Sequence, residues 1–433
     1  MCPSKKGFSL YASNLFPHYT SIFGMSANLW SSYAPMLNWA TTDIDEEVSI
    51  GIVDWEALLR YATDARQKRE QNEVPLVCQP SVEYNKGGRN LVRCINFQDG
   101  ACWLVRMQLQ KPTPESIQRL EQEVHTMSVV REQSEILVPE VYAYEANCDN
   151  AVGVPFILME FLPGNTIMDS FGGYEAHRGR IPNTIKPEFH ATLADTQAQM
   201  SAIRFPKIGG IVKASDGTYS VGPLPEIGGP FDSAAQFLEA WADHLKFPYS
   251  EETIRERTPP EFVDEILESI RSFPSRLKEL AKTFSFQTGP FPLFHTDLYC
   301  SNIILASQYY VIDWEDSCVL PWEMVEFAKD LCMVPPALDG PLYREDETDH
   351  KRSMERENYI KLVRAAETFR GLDHRLSITL GDSTVQNWTH AMWLYGIDGR
   401  IGFYSNVIDS VQAGSERRFP SEVRNTEMTI VSS

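Results

Sequence analysis

The stretch that decides the fold reads Phe294-His295-Thr296-Asp297-Leu298-Tyr299-Cys300-Ser301-Asn302. It follows an apolar run at 291–294 and leads into a predicted short strand at 302–305. A second predicted strand, at 309–312, ends immediately before Asp313. Because Asn302 begins one strand and Asp313 follows its partner, a two-stranded hairpin would bring these two side chains close together.

The oxygen-bearing side chains of this stretch suit phosphoryl transfer. That reaction needs a carboxylate to orient the attacking hydroxyl and accept its proton, together with oxygen ligands for a Mg²⁺ ion that bridges nucleotide phosphates. Asp297 can be the carboxylate, and Asn302 and Asp313 can be the ligands. The alternative explanation of the spacing is a structural His295–Asp297 pair in a turn that an asparagine caps.

Upstream of this stretch, the sequence predicts an antiparallel sheet and a helix. Strands at 80–84, 91–97 and 101–109 are separated by a Gly87-Gly88 loop and an Asp-Gly turn, which supplies the positive φ of a hairpin. A helix is predicted to begin at Thr113-Pro114-Glu115, and it places Glu123 on or beside its apolar face. A further strand, at 156–162, ends at Pro163-Gly164.

After Gly164 helical periodicity dominates the sequence. Helices are predicted at 188–203, 234–246, 261–283, 352–369 and 383–407, and another precedes the sheet at 54–71. The predicted organisation is an N-terminal extension at 1–78, a sheet-rich lobe at 79–162, a helical lobe at 163–412 and a polar tail at 413–433.

Composition excludes several classes of protein. The 433 residues are 43% hydrophobic and 23% charged, which excludes global disorder. A net charge of −20 argues against nucleic-acid binding, and no apolar run is long enough to span a membrane. Eight cysteines without a C-x-x-C pair indicate reduced thiols. With no signal-peptide core and no arginine before Arg60, a cytoplasmic location is predicted.

The run at 291–331 resembles the catalytic loop and metal-binding aspartate of the aminoglycoside phosphotransferase/choline kinase-like family, and fungal-type phosphotransferase members have the most similar pattern. The resemblance extends over about residues 79–410. It implies an α+β, two-lobed protein-kinase-like fold with a small antiparallel-sheet lobe and a larger helical lobe. It also implies ATP and Mg²⁺ as cofactors and a small-molecule hydroxyl as the phosphate acceptor.

The resemblance assigns roles to further residues. Gly87 and Gly88 correspond to the loop that covers the nucleotide, and Glu123 corresponds to the glutamate of the family's helix C. The backbone from Glu160 to Leu162 corresponds to the hinge that holds adenine, and His295 is expected to brace the loop that carries Asp297. Arg106 stands where the family has a lysine that grips the α- and β-phosphates, and a guanidinium can also bind phosphate.

Two departures from the family keep a second class of function open. Arg106 replaces the lysine, and the glycine loop has two adjacent glycines where a spaced triplet is usual. A kinase-like nucleotide-binding or scaffold protein without turnover is therefore the alternative to a kinase. A hydrolase that uses His295 and Asp297 on a metal is a third class, but the sequence offers no further ligands at suitable spacing.

The acceptor and the oligomeric state do not follow from the sequence. An acidic stretch at 339–349 would suit a cationic acceptor, although a solvated acidic loop is its first interpretation. Aminoglycosides, choline-like amines, sugars, amino acids and secondary metabolites all remain open as acceptors.

Overall fold

The protein was analysed as a computed structural model, which describes residues 51–71, 74–87, 89–178, 180–284 and 286–418. The chain divides into two compact units. The first contains the chain up to residue 199 together with 211–219 and 295–317, and the second contains 200–210, 220–294 and 318–433. The predicted boundaries after residues 78, 162 and 412 stay a prediction. The predictions for residues 1–50 and 419–433 lie outside the described residues.

The first unit is built on a five-stranded sheet in which all neighbouring strands are antiparallel, in the order β1-β2-β3-β5-β4. The strands are β1 (Cys78–Lys86), β2 (Asn90–Phe97), β3 (Cys102–Gln108), β4 (Val141–Glu145) and β5 (Phe156–Glu160). The turn between β2 and β3 forms as predicted, with Gly100 at φ +88° and Asn96 opposite Cys102. Glycine adopts this backbone conformation without the steric cost that a Cβ would bring.

Helices cover both faces of this sheet. Helix α1 (Trp55–Glu70) packs Leu58 and Ala62 into a core with Val105 and Met107 of β3. Helix α2 (Pro114–Gln133) packs Leu120 and Val124 against Ile157 and Met159 of β5. Side chains alternate between the faces of a strand, so Arg106, which lies between Val105 and Met107, points to the face that α2 covers. The predicted strand and helix positions here are confirmed.

A hairpin carries the decisive stretch. Strands β11 (Ile303–Leu305) and β12 (Tyr309–Val311) pair antiparallel as predicted, and β11 also pairs with β6 (Asn165–Thr166). Gly164 precedes β6 and lies so close to the Leu305 carbonyl that a Cβ at position 164 would collide with it. Only glycine permits this close approach of two backbone segments.

The other helices and strands are distributed over both units. The helices are α3 (Gly173–His177), α4 (Lys186–Ala202), α5 (Ala234–His244), α6 (Glu251–Arg257), α7 (Val263–Thr283), α8 (Pro336–Asp339), α9 (Glu347–Phe369), α10 (Arg375–Gly381), α11 (Ser383–Trp393) and α12 (Tyr404–Arg418). The short strands are β7 (Arg204–Phe205), β8 (Gly210–Lys213), β9 (Tyr219–Gly222), β10 (Phe291–Phe294) and β13 (Cys318–Val319). The sheet and helices together confirm the predicted α+β class.

One predicted helix is wrong in extent. The segment 383–407 was expected to be continuous, but α11 ends at Trp393 and α12 begins at Tyr404. A single π-type turn at Leu394–Asp398 follows α11, and Gly399 ends it in the left-handed conformation, at φ +61°. A glycine in this conformation is a common way to end a helix, and it redirects the chain here.

Two expectations from composition can be compared with the structure. No helix in the described ranges has both the length and the apolarity that a bilayer crossing requires. The seven cysteines in those ranges are unpaired thiols, as the spacing predicted.

Candidate active site

The buried ring of His295 holds the stretch from His295 to Asn302 in shape. Its Nε2 donates to the Ile312 carbonyl (3.0 Å), and its Nδ1 accepts from the Asp297 backbone N–H (3.2 Å). The ring also packs edge-on against Trp314, with 4.9 Å between the centroids. These contacts join the Asp297 backbone to Ile312, the residue before Asp313, so His295 braces the site through the backbone.

Asp297 and Asn302 form the centre of the site. The Asn302 amide donates to the Asp297 carbonyl (2.9 Å) and to its carboxylate Oδ2 (2.8 Å). Asn302 is buried, whereas Asp297 is exposed. Because the amide N–H groups serve Asp297, the Asn302 Oδ1 remains as an acceptor. No hydrogen bond from the described residues reaches the Asp297 Oδ1.

Arg106 joins this centre to α2. Its guanidinium forms a buried ion pair with Glu123, and its Nη1 lies 3.8 Å from the Asp313 Oδ1. Burial raises the pKa of Glu123, although the neighbouring Arg106 opposes this shift. Loss of hydration also raises the pKa of Asp313, and the charges of Glu315 and Asp297 add to the effect while Arg106 opposes it. The structure therefore brings Arg106, Glu123, Asp297, Asn302 and Asp313 into one neighbourhood.

Two further arginines, which sequence reasoning did not assign, hold the segment that begins at Asp313. Arg89 donates to Glu315 (2.7 Å), and Arg119 of α2 donates to Asp316 (2.5 Å). Asp313 and Asp316 both have left-handed backbones, at φ +60° and +65°. This conformation is uncommon outside glycine and persists where surrounding contacts determine it. The signal available in the sequence was the acidic run after Ile312, but its partners are more than 190 residues away.

The predicted nucleotide-contacting backbone lies at two ends of the sheet. Gly87 closes the loop between β1 and β2, where its N–H donates to the Asn90 carbonyl (2.9 Å). Gly88 lies outside the described residues. Glu160 ends β5, and its carboxylate accepts from the Glu140 N–H (3.1 Å), whereas the buried Leu162 follows it. Burial and then the charge of Glu160 raise the pKa of Tyr310, so the hinge segment lies beside the β11–β12 hairpin.

The donor set of the site fits a magnesium ion. Asn302 offers an amide oxygen that makes no strong internal hydrogen bond, since its one donor among the described residues, Ser301, is 3.5 Å away. Asp313 offers a carboxylate that is 46% exposed. Hard divalent cations prefer such oxygen ligands, and the acids around Asp313 make the neighbourhood favourable for a cation.

The family of the chain follows from a comparison of its sequence with models of known families. A family model described as "Phosphotransferase enzyme family" matches residues 90–329, which is more than half of the chain. The chain belongs to this family. The predicted family and fold class are thereby confirmed.

The two curated relatives described here have low sequence identity to this chain, 24% and 25%. A protein from Lachancea thermotolerans named "Altered inheritance of mitochondria protein 9, mitochondrial" is 24% identical over 47% of this chain and 42% of its own length. A protein of the same name from Eremothecium gossypii is 25% identical over 56% of this chain and 47% of its own length. The chain thus matches less than half the length of either relative.

Solved structures of similar fold include kinases of small molecules. Plasmodium vivax ethanolamine kinase is 14% identical, with a TM-score of 0.39 over 93% of this chain and 96% of that one. A thermostable aminoglycoside phosphotransferase APH(4)-Ia, in complex with ADP and hygromycin B, is 13% identical, with a TM-score of 0.40 over 81% and 96% of the two chains.

The names of the curated relatives contradict the predicted cytoplasmic location, because these proteins are called mitochondrial. That prediction was wrong, and the reason is physical. Unpaired thiols are typical of reducing compartments, but they do not distinguish one reducing compartment from another. The N-terminal part of the prediction rested on residues 1–30, which lie outside the described residues, and on the absence of arginine before Arg60.

Proposed function

We propose that this protein is an ATP-dependent kinase that phosphorylates a hydroxyl group of a small molecule. The observation that carries the proposal is the contact of the Asn302 amide with the Asp297 carboxylate, close to an Asp313 that neighbours Arg106. Membership of the phosphotransferase family supports the reaction class.

Asp297 would act on the acceptor. Asn302 holds its Oδ2, so Oδ1 is the oxygen that can accept a hydrogen bond from the incoming hydroxyl. As the hydroxyl oxygen forms its bond to the γ-phosphorus, the bond from that phosphorus to the β-phosphate oxygen breaks and ADP leaves. The hydroxyl proton passes to the Asp297 Oδ1. Positioning matters more than base strength in this reaction, because its transition state is largely dissociative.

Arg106 would bind the nucleotide phosphates, with Glu123 holding its guanidinium in place. Arginine carries five N–H donors in a planar fork, so one side of the group can face Glu123 while another faces phosphate. This property supports activity in spite of the missing lysine. The buried ion pair also fixes the position of Arg106 relative to Asp313.

Asn302 and Asp313 would hold Mg²⁺, which neutralises phosphate charge when it is bound. By holding the ion, the two residues would orient the phosphate groups of the nucleotide. The left-handed backbone at Asp313 aims its carboxylate toward Arg106 and the hairpin.

The decisive test is Asp297→Asn. We expect phosphate transfer to fall by about 10²–10⁴-fold, because the amide cannot accept the proton. Binding of MgATP, measured by thermal shift, should persist. Asp264→Asn, at an exposed acid far along the chain in α7, is the matched control and should retain full activity.

The acceptor can be sought in a metabolite extract by looking for an ATP-dependent mass gain of one phosphate. If wild-type protein binds MgATP but phosphorylates nothing in extracts from several sources, the nucleotide-binding protein without turnover becomes the better proposal. Arg106 in the place of lysine is the feature that favours this second candidate.

We also propose that the protein works in mitochondria. The names of the curated relatives support this location. Fractionation of cells that express the full-length protein would test it, and recovery outside the mitochondrial fraction would contradict it.

A further inference from the structure

The second unit contains a group of basic side chains around Cys332. Lys329 forms an ion pair with the buried Glu326. Arg352 of α9 donates to the Cys332 carbonyl (3.5 Å), and Arg356 follows one turn later on the same helix. We call Lys329, Arg352 and Arg356 the basic cluster.

Arg356 is the unusual member of the basic cluster. It is half-buried, and one face of its guanidinium lies over the Phe327 ring, 4.1 Å from the centroid. In the part of the chain that the structure describes, no side chain or carbonyl accepts a hydrogen bond from it, and no carboxylate pairs with it. The aromatic ring covers one face of the group but satisfies none of its five N–H donors.

The acid whose charge acts on Arg356, Glu326, is engaged by other groups. Glu326 is already shared, because Lys329 binds its Oε1 and His390 lies 2.9 Å from its Oε2. Arg352 stands four residues from Arg356, and like charges at this spacing on a helix repel each other. A partly desolvated guanidinium that has no ion-pair partner among the described residues is costly in a protein of net charge −20, which could have paired it.

A metal site is the competing interpretation of this region. One donor atom each from Glu326, Cys332 and His390 lies within 4.8 Å of the others, a set that would suit zinc. However, the Cys332 thiol donates to the Phe327 carbonyl (3.5 Å), and burial raises its pKa well above the ordinary value. A divalent cation would also have to displace Lys329 from Glu326 and approach two arginines. The charges therefore favour an anion.

We propose that Arg356 and Arg352 form a binding site for an oxyanion, namely the carboxylate or phosphate group of a small molecule. The two guanidinium groups supply planar N–H pairs, which match the geometry of both kinds of oxyanion. Phe327 holds the Arg356 fork in one orientation, which lowers the entropy lost on binding. The site is independent of the proposed kinase activity.

The test is calorimetric titration of the full chain with sodium phosphate and, separately, with sodium succinate, at constant ionic strength. We expect saturable binding of at least one of them. Arg356→Met keeps the apolar contact with Phe327 and removes the charge, so it should weaken that binding by at least about tenfold. Arg364→Met, at an exposed position of the same helix, is the matched control and should bind as the wild type does.

Several results would overturn the proposal. One is the absence of saturable binding of either anion to the wild type. Another is unchanged binding in Arg356→Met, which would place the anion elsewhere, for example at Arg106. Stoichiometric zinc that is lost in Cys332→Ser would show that the region is a metal site. If Arg356→Met does not fold, Arg356→Lys keeps the charge without the fork, and it should still bind several-fold more weakly.

Discussion

At the scale of single residues, Arg106 is one of the two departures of this chain from the expected family pattern. A lysine ammonium is a compact point charge, whereas the guanidinium contacts Glu123 with one nitrogen and approaches Asp313 with another. Arginine at this position therefore has a second electrostatic effect, on Asp313, the proposed ligand of Mg²⁺. Loss of hydration and the neighbouring acids raise the pKa of Asp313, and the charge of Arg106 opposes this increase.

This double contact gives a pH prediction. Arg106→Lys should hold Asp313 less well, so the pKa of Asp313 should rise further above its ordinary value. The acid limb of the pH profile of kcat/KM for MgATP should then move to higher pH, because the carboxylate must be ionised to bind Mg²⁺. Steady-state rates measured between pH 5 and 9 check this, and an acid limb at the wild-type position would contradict it.

Glu323 gives a second prediction, for stability. It is buried, and its Oε2 has no hydrogen-bond partner among the described residues. Burial raises its pKa from 4.5 to about 7. Between these values the folded state holds more protons than the unfolded state, so the free energy of unfolding falls as pH rises. Glu323→Gln should therefore stabilise the protein by about 1–3 kcal/mol at pH 8 and change little at pH 4.5.

Thermal denaturation of the Glu323→Gln variant at the two pH values is the measurement. Glu261→Gln, an exposed acid-to-amide change in the same unit, is its control and should show no such pH dependence. Equal stabilisation at both pH values would show that the effect comes from the new amide and not from the removed charge.

At the scale of elements, helix α2 supports the site through two ion pairs. Glu123 holds Arg106, and Arg119, one turn earlier, holds Asp316. The position of α2 is thus coupled to the segment from Asp313 to Asp316 at two points. Arg89 adds a third contact, through Glu315, from the loop before β2.

The contribution of this coupling can be measured with Arg119→Ala. The pair is partly exposed, so global stability should change little. We expect kcat to fall by several-fold, because the segment that carries Asp313 loses one of its supports. Asp316→Asn should have the same effect, and the double variant should be no worse than either single one. Additive losses would show that the two residues act separately.

The helices and strands also show which parts of the structure could be predicted from the sequence. The β11–β12 hairpin, the β2–β3 turn and the start of α2 follow from local signals: alternation, Asp-Gly and a Thr-Pro cap. The ion pairs of Arg89 and Arg119 do not, because residues 226 and 197 positions apart leave no local pattern. The break between α11 and α12 was missed because helical periodicity continues through Gly396 and Gly399.

At the scale of the whole molecule, net charge and composition limited the possible classes of protein but did not identify the reaction. A charge of −20 excludes few enzymes, and the unpaired thiols did not distinguish the compartment. The family match identified the family of the chain, which composition could not do. The predicted site residues, by contrast, all came from one loop and from the order of the elements around it.

A ligand that binds only the folded state stabilises the whole molecule, which gives a global test of the site. MgATP at about 100 times its Kd should add about 2.7 kcal/mol to the free energy of unfolding. ATP with excess EDTA should add much less, because Asn302 and Asp313 then have no ion to hold. An equal shift in Tm with and without magnesium would argue against the proposed ligands.

Gly164 has a consequence that reaches beyond its own position. It touches nothing that reacts, yet its backbone rests on the Leu305 carbonyl of β11, three residues after Asn302. A methyl group at position 164 would push β11 away and move the Asn302 amide away from the Asp297 carboxylate. Substitutions of Gly164 should therefore lower the rate of phosphate transfer, although Asp297 and Asn302 themselves are unchanged.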